Sequence, residues 1–145
     1  MSLIITLDGT AGSYKSTVAR LVAERISGVA LDSGSFYRII AHEMRAWGID
    51  STDETTITEH LADLVEGIEA TNGVATKIAG MPVTYERLKR KEIDAIVSAI
   101  SWHTPVRDMV NASLRAHAAS LSCPAVCEGR DIGHVVFPDA NCKFY

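Results

Sequence analysis

Gly9, Lys15 and Ser16 are the residues of this chain whose types and spacing point most directly to chemistry. They stand in Asp8-Gly9-Thr10-Ala11-Gly12-Ser13-Tyr14-Lys15-Ser16-Thr17. The apolar run Leu3-Ile4-Ile5-Thr6-Leu7 precedes this stretch, and Val18, Leu21, Val22 and Ile26 follow it at helical spacing. Extended run, glycine-bearing turn, Lys-Ser and helix is the layout of a phosphate-binding loop, whose pattern is G-x-x-x-x-G-K-[ST]. A helix N-terminus carries unpaired N–H groups and positive dipole charge, so polyphosphate is stabilised there. In this reading Gly9, Gly12, Ser13, Lys15, Ser16 and Thr17 hold nucleotide phosphates, with Lys15 on the β- and γ-phosphates and the Ser16 hydroxyl on Mg²⁺. The same residues also suit an ordinary strand–turn–helix joint with a lysine at the helix start.

The second glycine of the pattern is Tyr14 here. A left-handed backbone at a residue with a Cβ costs roughly 1–2 kcal/mol. Tyr14 therefore either takes that conformation under strain or opens the loop and misdirects its N–H groups. The open, distorted loop is the expectation, with weak ATP binding as its consequence.

Further polar residues are spaced along the chain: Ser33 and Arg38 in Leu31-Asp32-Ser33-Gly34-Ser35-Phe36-Tyr37-Arg38, then Ser98, Arg107, Arg130 and Asp131. Arginines suit forked contacts with anionic oxygens, and a carboxylate accepts hydrogen bonds. Each also has a plain structural use. Arg38 fits a solvated helix face, Ser98 an exposed one, and Arg107 and Asp131 fit a helix entry and a glycine-rich turn.

The elements that must position these residues alternate. Gly28-Val29-Ala30-Leu31-Asp32 reads as a short buried strand, and Asp32 or Ser33 can cap a helix whose apolar stripe is Phe36, Ile39, Ile40, Met44 and Trp47. Thr52 or Asp53 can cap the next helix, with Ile57, Leu61, Leu64 and Val65 on one face. Thr71-Asn72-Gly73 signals a hairpin and Gly80-Met81-Pro82 a second turn. Arg87–Glu92 reads as a solvated helix start, followed by an inward face of Ile93, Ile96, Val97 and Ile100. Thr104-Pro105 marks a helix entry with threonine at the cap. Pro124–Glu128 returns as a strand carrying Cys123 and Cys127 on one face at its start, and Cys142–Tyr145 is a last short strand. This order implies an α/β fold, a parallel sheet with flanking helices, in one domain spanning residues 1–145. Residues 51–103 read as a small helix-and-hairpin insertion over the sheet.

Composition bounds the rest. With 47% hydrophobic and 22% charged residues the chain is an ordinary globular one, and a net charge of −4 argues against a general nucleic-acid binder. No apolar run approaches the ~20 residues of a membrane span, and no signal-peptide pattern opens the chain. An odd count of three cysteines without C-x-x-C spacing suggests reduced thiols and a cytoplasmic setting.

Taken together, Asp8–Thr17, Leu31–Arg38, Ile96–Arg107, Glu128-Gly129-Arg130-Asp131-Ile132-Gly133 and Val135–Asp139 resemble bacterial cytidylate kinase, a P-loop nucleoside monophosphate kinase family, in order and approximate spacing. The resemblance implies transfer of the γ-phosphoryl group of ATP to CMP or dCMP, with Mg²⁺. It places Lys15 and Arg130 as catalytic residues and Ser33, Arg38, Ser98, Arg107, Arg130 and Asp131 around the monophosphate. It makes the insertion, with its hairpin at 68–84, the monophosphate-binding region. Catalysis would then be alignment and charge neutralisation, with no strong base. The family continues for roughly another third beyond Tyr145, into an arginine-rich lid, further monophosphate contacts and a last sheet strand, so those parts are expected to be absent here. An uncovered C-terminal strand would favour self-association. A non-catalytic nucleotide-binding remnant and a P-loop kinase for another small metabolite are the alternative readings.

Overall fold

The computed structural model describes residues 3–78 and 81–145. β1 (Ile4–Asp8), α1 (Lys15–Arg25), β2 (Val29–Asp32) and α2 (Ser33–Trp47) follow one another in the expected alternation. Next come α3 (Glu54–Val65), the strands β3 (Glu69–Thr71), β4 (Val74–Ile78) and β5 (Met81–Pro82), and the helices α4 (Tyr85–Leu88), α5 (Lys91–Ile100) and α6 (Thr104–Ser120). β6 (Ala125–Gly129), a π-helical turn over Ile132–Val136 and β7 (Cys142–Phe144) complete the chain. It divides into two compact units. The first runs up to Ser33 and adds Asn72–Val74 and Asn111–Tyr145; the second comprises Gly34–Thr71 and Ala75–Val110.

The first unit is the α/β fold expected. Its sheet has the order β2-β6-β1-β7, and all three pairings are parallel. β6 is central and buried at every position, as a strand covered on both faces must be. Ala19 and Ala23 of α1 are buried with Val126 of β6, and Ile5, Leu7, Val22, Ile26 and Ala30 pack around them. Two alanines on the contact face let the helix lie close to the sheet, so the end of β1 and the start of α1 are held at a fixed separation. Cys127 lies in the strand and is 1% exposed, and burial pushes its thiol up to about 12. Cys123 lies before the strand and is half-buried.

The hairpin signal at Thr71-Asn72-Gly73 is borne out. Asn72 (φ 50°) and Gly73 (φ 76°) are both left-handed, the two-residue turn that matches strand twist. The Gly73 carbonyl accepts from the Asp32 N–H at 3.0 Å. A Cβ on Gly73 would fall 1.7 Å from the Ala30 carbonyl oxygen, so only glycine fits there. β4 continues into the antiparallel β4–β5 pair, with Ile78 opposite Met81. The turn expected at Gly80-Met81-Pro82 lies partly outside the described residues, and Met81–Pro82 is the short strand β5.

The second unit buries Phe36, Ile39, Ile40 and Met44 of α2, and Ile57, Leu61 and Leu64 of α3. Trp47 departs from the expected stripe. It is 49% exposed at the end of α2, where its ring meets His60 edge-on at 6.3 Å. Of the two candidate caps of α3, Asp53 is the one used. Its carboxylate accepts from the Thr56 hydroxyl and N–H, and these bonds hold its pKa below the usual carboxylate range. The charged run at 87–92 is not one helix start. α4 ends at Leu88, which is buried, and α5 begins anew at Lys91. In α5 Ile93 and Ile100 are buried, while Ile96 and Val97 are half-buried. α6 begins at Thr104, one residue earlier than a threonine cap would place it, with the Arg107 N–H on the His103 carbonyl. No described helix is long and apolar enough to cross a membrane.

Candidate active site

In the first unit, the C-terminal ends of β2, β6 and β1 lie side by side because the three strands are parallel neighbours. The segment after each one carries predicted site residues: Ser33 after β2, Arg130 and Asp131 after β6, and the loop Gly9–Ser16 after β1. The crevice beyond the carboxyl ends of parallel strands is where open α/β sheets bind ligands.

The loop keeps its turn. Tyr14 sits at φ 60°, ψ 16°, so it adopts the left-handed conformation itself and does not open the loop. Tyr14 is 78% exposed. Gly12 is also left-handed, at φ 75°, with open space around it. Inside the loop, the Lys15 ammonium donates to the Thr10 carbonyl at 2.6 Å and approaches the Ser13 hydroxyl at 3.3 Å. The Ser13 hydroxyl donates to the same Thr10 carbonyl at 2.8 Å. No side chain caps α1 and no acidic residue stands in its first turn.

Glu128 is the functional candidate that the sequence reading passed over. It is the penultimate residue of β6, is 6% exposed, and its carboxylate accepts from the Ser16 hydroxyl at 2.6 Å. The pair lies 112 positions apart in sequence. Position alone gave one signal, an acid at the last residues of an apolar strand. A hydroxyl and a carboxylate at this spot form a hard-oxygen donor set that fits Mg²⁺, which usually takes one or two carboxylates plus substrate phosphates and water. Among the described residues no cluster of three or more His, Cys, Asp or Glu could hold a metal alone. A cation here therefore depends on the phosphates for the rest of its shell.

Asp8 has a structural task of its own. Its carboxylate accepts from the Ile132 N–H at 2.6 Å and the Gly133 N–H at 2.8 Å, fixing the turn that begins with Arg130 and Asp131. The Ser33 hydroxyl lies against Gly129, where a Cβ would come within 2.5 Å of it. Arg130 is exposed and Asp131 half-buried.

The other three predicted residues belong to the second unit. Arg38 on α2 donates from Nε to Asp94 of α5 at 3.4 Å. The Ser98 hydroxyl donates to the Asp94 carbonyl at 2.9 Å, so Asp94 ties Arg38 and Ser98 into one small group. Arg107 donates from Nη1 to the Ser101 carbonyl at 3.4 Å.

The family model for cytidylate kinase matches residues 5–145. The chain belongs to the cytidylate kinase family. It is 34% identical to the cytidylate kinase of Geobacter sulfurreducens, over 99% of this chain and 60% of that protein. It is 35% identical to the cytidylate kinase of Pseudomonas savastanoi pv. phaseolicola, over 98% of this chain and 62% of that protein. The bifunctional pantoate ligase/cytidylate kinase of a Synechococcus strain is 36% identical over 98% of this chain and 29% of its own length. The chain thus spans about three fifths of the length of its single-function relatives.

Proposed function

We propose that this chain binds ATP with Mg²⁺ and CMP or dCMP, and that it belongs to an enzyme passing the γ-phosphoryl group to the monophosphate. The bond from the γ-phosphorus to the bridging oxygen breaks as one to a monophosphate oxygen forms, giving ADP and CDP or dCDP. The observation that carries this reading is the placement, in one unit, of the Lys15–Ser16 loop beside the Glu128–Asp131 segment at adjacent strand ends.

Lys15 and the N–H groups of the loop and helix start, from Gly9, Gly12 and Ser13 to Thr17, are assigned to the ATP phosphates. Ser16 and Glu128 are assigned to Mg²⁺, which when bound neutralises phosphate charge. Arg130 and Arg38 suit the monophosphate's anionic oxygens, Asp131 the cytosine amine, and Arg107, Ser98 and Ser33 further polar contacts. Residues 51–103 are assigned to the monophosphate side, and Lys15 with Arg130 to charge neutralisation during transfer. Free thiols at Cys123, Cys127 and Cys142 accord with a cytoplasmic setting. β7 lies at the sheet edge with Phe144 57% exposed, which supports self-association by strand pairing; sedimentation as a monomer at high concentration would rule that out.

Calorimetry with CMP, dCMP, AMP and GMP tests the acceptor, and ADP release tests the transfer. CMP should bind more tightly than AMP, and Asp131→Ala should lower CMP affinity about tenfold, since a good polar base contact discriminates by about 1–3 kcal/mol. Equal affinity for CMP and AMP overturns the acceptor assignment. Binding of both substrates without CMP-stimulated ADP release would identify a nucleotide-binding remnant.

A further inference from the structure

Asp8 is the last residue of β1, immediately before the phosphate loop, yet its carboxylate bonds to a different segment. Both of its oxygens are taken by the Gly129–Gly133 segment: Oδ1 by the Ile132 N–H and Oδ2 by the Gly133 N–H. Two N–H bonds to one carboxylate are charge-assisted and fix the segment in two directions. Gly133 is what permits the approach. A Cβ there would lie 2.4 Å from Thr6 Oγ1 and 3.1 Å from Asp8 Oδ2.

The far end of the same π-helical turn is also held. Arg115 on α6 donates from Nε to the Val136 carbonyl at 2.8 Å and from Nη2 to the Val135 carbonyl at 2.9 Å. A short turn clamped by a carboxylate at its N–H end and a guanidinium at its carbonyl end has little room to shift. The residues just before the carboxylate clamp are Arg130 and Asp131. We propose that Asp8 is a positioning residue for the monophosphate, setting the orientation of Arg130 and Asp131 from the strand that also carries the ATP loop. The inference rests on the assignment of those two residues to the monophosphate.

The test is titration of the unmodified protein and of Asp8→Asn with CMP and, separately, with ATP·Mg. Asparagine keeps the size but offers only one acceptor oxygen and turns its NH₂ against the second N–H. CMP affinity should fall about tenfold, as expected for losing a charge-assisted pair. ATP·Mg affinity should stay within about twofold, because the bonds lost do not touch the loop. A general loss of structure would lower both affinities together, and that result overturns the proposal, as does unchanged CMP affinity. Should Asp8→Asn not fold, amide hydrogen exchange in the unmodified protein decides the matter. Saturating CMP should slow exchange at Ile132 and Gly133 while ATP·Mg leaves it unchanged; rates indifferent to CMP overturn the proposal. An unmodified protein that does not bind CMP refutes instead the monophosphate assignment on which this rests.

Discussion

Tyr14 shows how one side chain can leave a loop's shape intact and still cost stability. It occupies the left-handed region at φ 60°, where a Cβ residue is strained by roughly 1–2 kcal/mol. Tyr14→Gly relieves that strain without reshaping the loop. It should raise the unfolding free energy by up to about 1 kcal/mol, once glycine's greater unfolded-state freedom is subtracted. ATP·Mg affinity should change less than about threefold, since the turn that the glycine would provide is already formed by Tyr14. Thermal melts and ATP titration check both, and a severalfold gain in affinity would mean that the tyrosine does open the loop in solution. Glu128 sits at the other end of the same chemistry. Glu128→Gln keeps the shape against Ser16 but removes the charge, so Mg²⁺-dependent ATP binding should weaken about tenfold. ATP binding measured in EDTA should not change. Equal losses with and without Mg²⁺ would assign Glu128 to the loop's structure and not to the cation.

Among the elements, the Asn72-Gly73 turn depends on a single residue. Gly73 both turns at positive φ and presses its backbone on β2, where the Ala30 carbonyl occupies the space of any Cβ. Gly73→Ala should destabilise the protein by about 3 kcal/mol, the upper range for overpacking against backbone. Asn72→Gly, which keeps the turn, should change stability by less than about 1 kcal/mol. Denaturant melts of the two variants check the contrast; similar small effects would mean that the hairpin tip can lift from β2 at little cost. α2 and α3 follow their sequence periodicity closely, because each buries one apolar face. Arg38, His42 and Glu43 on the other side of α2 are nonetheless part-buried in polar pairs and not left to solvent. The failures fall at element ends. Trp47 closes α2 beyond the buried stretch, and the charged run at 87–92 conceals a break in which Leu88 is buried.

For the molecule as a whole, the parallel sheet of the first unit sets how stability responds to alkaline pH. Cys127 lies in the central strand, and burial raises its thiol to about 12, above the ordinary thiol range. A folded-state value raised above the unfolded one gives stability that is present below the unfolded pKa and lost as pH rises toward the folded one. The protein should therefore lose up to about 1.4 kcal/mol per pH unit from this group between roughly pH 9 and 12. Cys127→Ala should flatten that slope relative to the unmodified protein, as read by denaturant melts across the range. An unchanged slope would show that the Cys127 thiol ionises as freely in the folded chain as in the unfolded one.

The sequence by itself determined the phosphate-loop layout, the strand–helix alternation of the first unit, the hairpin at Asn72-Gly73 and the family resemblance. The first three are local properties, set by spacing, turn chemistry and apolar periodicity over short stretches of neighbouring residues, and the resemblance rests on the order of several such segments. The tertiary structure alone decided that Glu128 meets Ser16, that Asp8 holds Ile132 and Gly133, and that Asp94 joins Arg38 to Ser98. Those contacts bridge 112, 124, 125 and 56 positions. Their partners are chosen by which strands become neighbours and which helices share a face, and no local pattern encodes that. The same holds for Tyr14. Its propensity argued for an opened loop, but the packing of α1 on β1 and β6 fixes where the loop must end, and the tyrosine takes the strained conformation that this requires.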